Sequence, residues 1–129
     1  EEIEKTKEQV ELVKSPTLSE GTPSNILPLN IPANYWLDLR NYDPVKTAKK
    51  LKLPVLIIQG ERDYQVTMTD FNIWKESLSH KKKVSLKSYP ELNHLFMEGA
   101  GKSTPSEYME SNNIPNYVIQ DIATWIKNN

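Results

Sequence analysis

The chain has 129 residues, 37% of them hydrophobic, with 16 Lys plus Arg, 17 Asp plus Glu and no Cys. That length holds one domain of ordinary size. A net charge of −1 lacks the clustered basic excess that nucleic-acid binding needs, and the absence of thiols excludes a disulfide scaffold, thiolate catalysis and Cys-ligated metal sites.

Cysteine usage leaves the compartment open, and a soluble, cytoplasmic protein is the default. No apolar run approaches the ~18 residues of a membrane span; the longest is Val55 to Ile58. The chain opens on EEIEK, with neither an initiator Met nor the apolar stretch of a signal peptide, so it reads as an excised piece of a longer polypeptide.

Glu1 to Lys14 is predicted to be a helix with Ile3, Val10 and Val13 on one face, ended by Ser15-Pro16. Pro16 to Pro32 is an irregular cap or loop, because Pro16, Pro23, Pro28, Pro32 and Gly21 break any period. Ala33 to Arg40 is a short helix bearing Tyr35, Trp36, Leu37 and Leu39. Asp43 as N-cap and Pro44 at the first helical position start the next helix, with Val45, Ala48 and Leu51 inward and Lys46, Lys49 and Lys50 in water. Pro54 to Gln59 (PVLIIQ) is the clearest strand; its unbroken aliphatic run predicts burial on both faces, as in a parallel sheet, with Gly60 ending it.

Thr67 and Asp70 form a capping-box pattern, and Phe71, Trp74 and Leu78 mark the buried face of a helix running to about Ser79. The HKKK turn, read as solvated, leads to a second strand, Val84 to Tyr89, whose alternation predicts one wetter face. Pro90 to Asn113 has little period. Pro115 opens a last helix with a broad stripe of Val118, Ile119, Ile122, Trp125 and Ile126. The alternation of helix and strand is the α/β signature, yet two parallel strands cannot close a core alone.

The constellation that bears on chemistry is strand, Asp, helix, strand, His. Asp63 follows the first strand in GERDYQV, and His94 follows the second in YPELNHLF. In a parallel sheet the carboxyl ends of neighbouring strands share an edge, where such sheets bind ligands. A carboxylate there fixes the imidazole's tautomer and leaves its other nitrogen free as a base. Taken singly, Asp63 reads equally as a turn residue and His94 as a surface residue; their order and strand context together favour the pair. Asp70 is the fallback acid, but its place at a helix start favours capping. His80 reads as part of the solvated turn, and Tyr64 and Phe96, which flank the pair, as aromatics that either wall a substrate pocket or pack, with packing favoured.

These residues carry a resemblance. PVLIIQGERDYQV followed by LKSYPELNHLFMEG resembles the C-terminal part of the α/β-hydrolase family, especially bacterial serine hydrolases of the esterase and acyl-peptidase-like kind. In that family the acid follows the seventh strand and the histidine the eighth, in the chain order nucleophile, acid, histidine. The resemblance implies Asp63 as the acid and His94 as the base, and it implies no cofactor or metal. PANYWLDLRNYDPVKTAKKL is similar to the lead from a cap into the seventh strand. The implied organisation is a cap-like segment over residues 1–41 and the C-terminal portion of the hydrolase core over 42–129.

No G-x-S-x-G stands anywhere in the chain. The resemblance therefore implies an acid and a base whose serine lies upstream, in an intact enzyme acting on an ester or related acyl substrate, with this chain alone inactive. The rivals are an Asp nucleophile on the same fold, acting on epoxides or haloalkanes, and a non-catalytic binding or assembly module. GAGKST at Gly99 to Thr104 fails as a phosphate loop, because Phe96 stands where its first glycine belongs and Pro105 follows at once. Two His and no Cys leave little for a transition metal. Open strand edges and uncovered apolar faces predict self-association or strand exchange between copies.

Overall fold

The computed structural model describes residues 1–129, which divide into two units, Glu1–Pro44 and Val45–Asn129. The first contains α1 (Glu2–Lys14), two short 3-10 turns (Ser24–Ile26 and Pro28–Asn30) and α2 (Ala33–Asn41). Its core is Leu18, Leu27 and Ala33, with Leu12, Val13, Trp36 and Leu37 against them. The inward face of α1 differs from the predicted stripe. Ile3 and Val10 are exposed, and Leu12 with Val13 makes the contact, because the proline-rich segment folds back at the C-terminal end of the helix. That segment supplies two of the three core residues. Gln9 donates to the Leu27 carbonyl at 3.2 Å. The Arg40 guanidinium donates to the carbonyls of Val13 and Ser15, the first of them an acceptor that the helix end leaves open.

The second unit is built on β1 (Val55–Gly60) and β2 (Val84–Tyr89), joined by α4 (Met68–Leu78). The strands pair in parallel from Val55↔Val84 to Gly60↔Tyr89. A parallel pair needs a crossover, and α4 is that crossover. The Thr67–Asp70 cap forms as predicted: the Asp70 carboxylate accepts the Thr67 N–H at 3.1 Å, and Thr67 Oγ1 accepts the Thr69 N–H. Phe71 and Leu78 are buried; Trp74 is half-buried. α3 (Pro44–Lys50) precedes β1, and α5 (Asn116–Lys127) closes the chain.

Tyr89, Leu92 and Val118 form the core of this unit, with Ile58, Phe96 and Ile122 around them. β1 departs from its prediction. Val55 to Gln59 are half-buried rather than enclosed on both faces, because the sheet has only two strands and few elements stand over it. The alternation predicted for β2 is present, with Ser85 and Lys87 exposed. The stripe on α5 is only partly used: Val118 is buried, while Ile119 and Ile126 face solvent. The HKKK turn is also less solvated than predicted, since Lys81 Nζ donates to the carbonyls of Ala48, Lys49 and Leu51 at 2.6 to 3.3 Å. No helix is long and apolar enough to cross a membrane.

Candidate active site

Both residues singled out from the sequence stand at the carboxyl end of the ladder. Asp63 lies three residues beyond β1 and His94 five beyond β2. The loops that carry them run backbone to backbone. A Cβ on Gly60 would lie 2.4 Å from the Leu92 carbonyl oxygen and 2.6 Å from that of Asn93, so only glycine allows this approach. The Arg62 N–H donates to the Leu92 carbonyl at 3.0 Å, fastening one loop to the other.

Asp63 Oδ2 and His94 Nδ1 are 2.8 Å apart. The carboxylate is otherwise fully engaged. Oδ1 accepts the N–H groups of Gln65 and Val66 at 2.8 and 2.9 Å, and Oδ2 also accepts from Gln59 Nε2 at 3.1 Å. Its side chain is 5% exposed, against 38% for the imidazole. Burial pushes the carboxyl up. The Val66 N–H, the His94 ring and the Gln65 N–H together outweigh it, and the group sits below its ordinary value of 3.8. The acid is thus ionised at neutral pH and fixed by four donors. With Nδ1 engaged, Nε2 is the nitrogen left to work on another molecule.

The histidine loop is shaped by Asn93, which is wholly buried. Its Oδ1 accepts the N–H groups of Leu95 and Met97 at 3.0 and 3.1 Å. The turn puts Phe96 at φ 58°, a left-handed position costly for an aromatic residue. Phe96 meets Tyr89 edge to face, and Tyr64 stacks on Tyr108, so both aromatics pack as expected.

Gln59, Arg62, Asn93 and Glu107 were not picked out by the sequence reading. The available signal was adjacency, since Arg62 and Asn93 immediately precede Asp63 and His94. Asp70 serves the helix cap and His80 is exposed, so neither joins the pair. The side chains include no group of three or more His, Cys, Asp or Glu able to hold a metal. A cleft of about 700 Å³ opens beside Asp63, with Arg62, Tyr64, Thr67 and Lys102 in its wall. His94 does not line it, so the cleft adjoins Asp63 rather than His94.

A carboxylate on an imidazole at the ends of adjacent parallel strands is the arrangement of an α/β hydrolase, and comparison with known proteins defines the family. The model of the dienelactone hydrolase family matches residues 33–125. The chain belongs to that family, and its α/β architecture is part of the α/β-hydrolase fold. Over 104 residues, 81% of its length, it is 45% identical to Esterase EstD of Thermotoga maritima. It spans only 25% of that relative. No solved structure matches it significantly.

Proposed function

We propose that this chain supplies the acid and the base of a serine hydrolase acting on carboxylic esters. Asp63 orients His94 and stabilises its imidazolium. His94 Nε2 removes the proton of a serine hydroxyl contributed by an upstream segment, as the serine attacks the ester carbonyl carbon. The proton then passes to the departing alcohol, and water, activated by the same nitrogen, releases the acid from the acyl-enzyme. The observation that carries this reading is the 2.8 Å contact between Asp63 Oδ2 and His94 Nδ1, reached from loops after adjacent parallel strands. The esterase named among its relatives favours esters over epoxides or alkyl halides.

Residues 1–41 act as a cap segment that tunes acyl specificity, an idea supported by the Tyr35–Trp36 edge-to-face pair. Copies of the chain associate through the open strand edges and through Ile73, Ile119 and Ile126, which face solvent.

The test uses a chromogenic short-chain ester and a serine-directed phosphonylating probe. The chain alone is expected to give neither turnover nor a labelled serine. Joined to the preceding coding segment, it is expected to hydrolyse the ester, and His94→Gln is expected to lower kcat by about 10⁵–10⁶-fold. Stoichiometric labelling of a serine in the isolated chain, or an aspartate in place of the upstream serine, would overturn the proposal.

A further inference from the structure

The residues immediately before the acid and the base both reach for the same carboxylate. Arg62, next to Asp63, donates from Nη2 to Glu107 Oε1 at 2.5 Å. Asn93, next to His94, donates from Nδ2 to Glu107 Oε2 at 3.0 Å. Ser103 Oγ adds a third donor to Oε2 at 3.0 Å. Glu107 lies on a short 3-10 turn, Pro105–Met109, 45 residues from Arg62 and 14 from Asn93. It is a clamp between distant segments.

Neither partner has slack. The Arg62 side chain is 7% exposed, and its Nε donates to the Gly101 carbonyl at 2.8 Å. A Cβ on Gly99 would lie 2.2 Å from Nη1, so the chain closes directly over the guanidinium. Asn93 is buried, with Oδ1 committed to two N–H groups of the histidine loop. Displacing Glu107 therefore leaves buried donors of both loops, Arg62 Nη2 and Asn93 Nδ2, without this acceptor. The Glu107 side chain itself is 28% exposed, but its three donors are buried, and a charge-assisted network with buried donors is costly to leave partly satisfied.

We infer that Glu107 is a positioning residue: gripping Arg62 and Asn93, it sets the separation of Asp63 and His94 without touching either. The inference rests on the acid–base reading above. It predicts an effect at His94 that general stability does not explain. Glu107→Gln keeps the shape but puts an NH₂ group in place of either Oε1, which faces Arg62 Nη2, or Oε2, which faces Asn93 Nδ2 and Ser103 Oγ; the Arg62 and Asn93 groups can only donate. At least one of the three bonds must break.

The experiment is ¹H–¹⁵N NMR of the histidine ring in the full chain. Wild type is expected to show a low-field Nδ1–H proton for His94, protected by Asp63. In Glu107→Gln that proton is expected to exchange with water about tenfold faster. Leu78→Ala, a core truncation in α4 at a fully buried side chain, is expected to lower stability and leave the signal unchanged. Unaltered exchange in Glu107→Gln, or equal acceleration in Leu78→Ala, overturns the inference. If Glu107→Gln does not fold, Ser103→Ala decides: exchange about two- to threefold faster supports the clamp, and no change overturns it. A wild-type chain without the low-field signal, or an Asp63→Asn chain that keeps it, overturns the acid–base reading and the clamp with it.

Discussion

The two ends of the β1–β2 ladder are built from opposite materials. At the carboxyl end, Asp63, Asn93 and Ser103 are buried and bonded to backbone N–H groups, to His94 and Gln59 or to Glu107. At the amino end a groove is lined by Lys49, Lys50, Lys52, Lys81, Lys82 and Lys83, with His80 and Leu51. Of these only Lys81 is tied down, on the last carbonyls of α3; the rest point into water. Polar groups removed from solvent must find partners, and partners fix geometry. Lysines left in solvent fix nothing. One sheet thus has a tightly bonded rim and a loose one, and Asp63 and His94 stand on the tightly bonded rim.

The contrast is sharpest for Asn93→Ala, which strips two N–H groups of their acceptor and Glu107 of a donor. We expect a loss of about 3 kcal/mol, read from urea unfolding. Gly60→Ala follows at about 2 kcal/mol, since backbone rather than a side-chain tip blocks the new methyl; a neutral result would mean that the two loops separate freely.

Lys81→Ala, at the opposite rim, should cost about 1 kcal/mol by the same measurement, because it uncovers the carbonyls at the end of α3. Lys82→Ala should stay within about 0.5 kcal/mol. A larger cost for Lys82 than for Asn93 would invert the comparison.

Acid provides a finer test. The Asp63 carboxyl is held below its unfolded value of 3.8, so the unfolded chain binds its proton first as pH falls. Its contribution is complete above that value and is lost as pH drops through the lower folded one. Asp63→Asn does not titrate there. The stability gap between wild type and variant should narrow as pH falls below about 5, as urea midpoints at successive acid pH values would show. Tyr89 gives the alkaline counterpart. Burial, with its hydrogen bond to Asp121, pushes the phenol up to about 12, so its stabilising share is present below the ordinary value of 10.0 and is lost as pH rises through about 12. Tyr89→Phe should remove the last step of the tyrosine absorbance titration.

The elements that could be read from the sequence are those fixed by neighbours along the chain. Thr67 and Asp70 sit three apart and cap α4 themselves. Val55 to Ile58 have no polar break and form a strand. Asp63 and His94 came from topology together with a family pattern, because each follows a strand that announces itself. The support beneath them was hidden for a physical reason. Arg62, Asn93 and Glu107 are polar residues in aperiodic loops, and nothing local ties Glu107 to a partner 45 positions away. The inward face of α1 was misjudged in the same way, since Leu12 is chosen by Leu18 and Leu27 in the following loop. β1 read as enclosed because composition records what a strand tolerates; it does not count the neighbours present.

The carboxylate and imidazole hang from the tips of β1 and β2, while the ladder's free hydrogen-bonding flanks run along their sides. Widening the sheet by further strands therefore proceeds at right angles to the pair and need not disturb it. The two strands and their end loops thus separate the direction in which the sheet can grow from the direction in which it presents side chains.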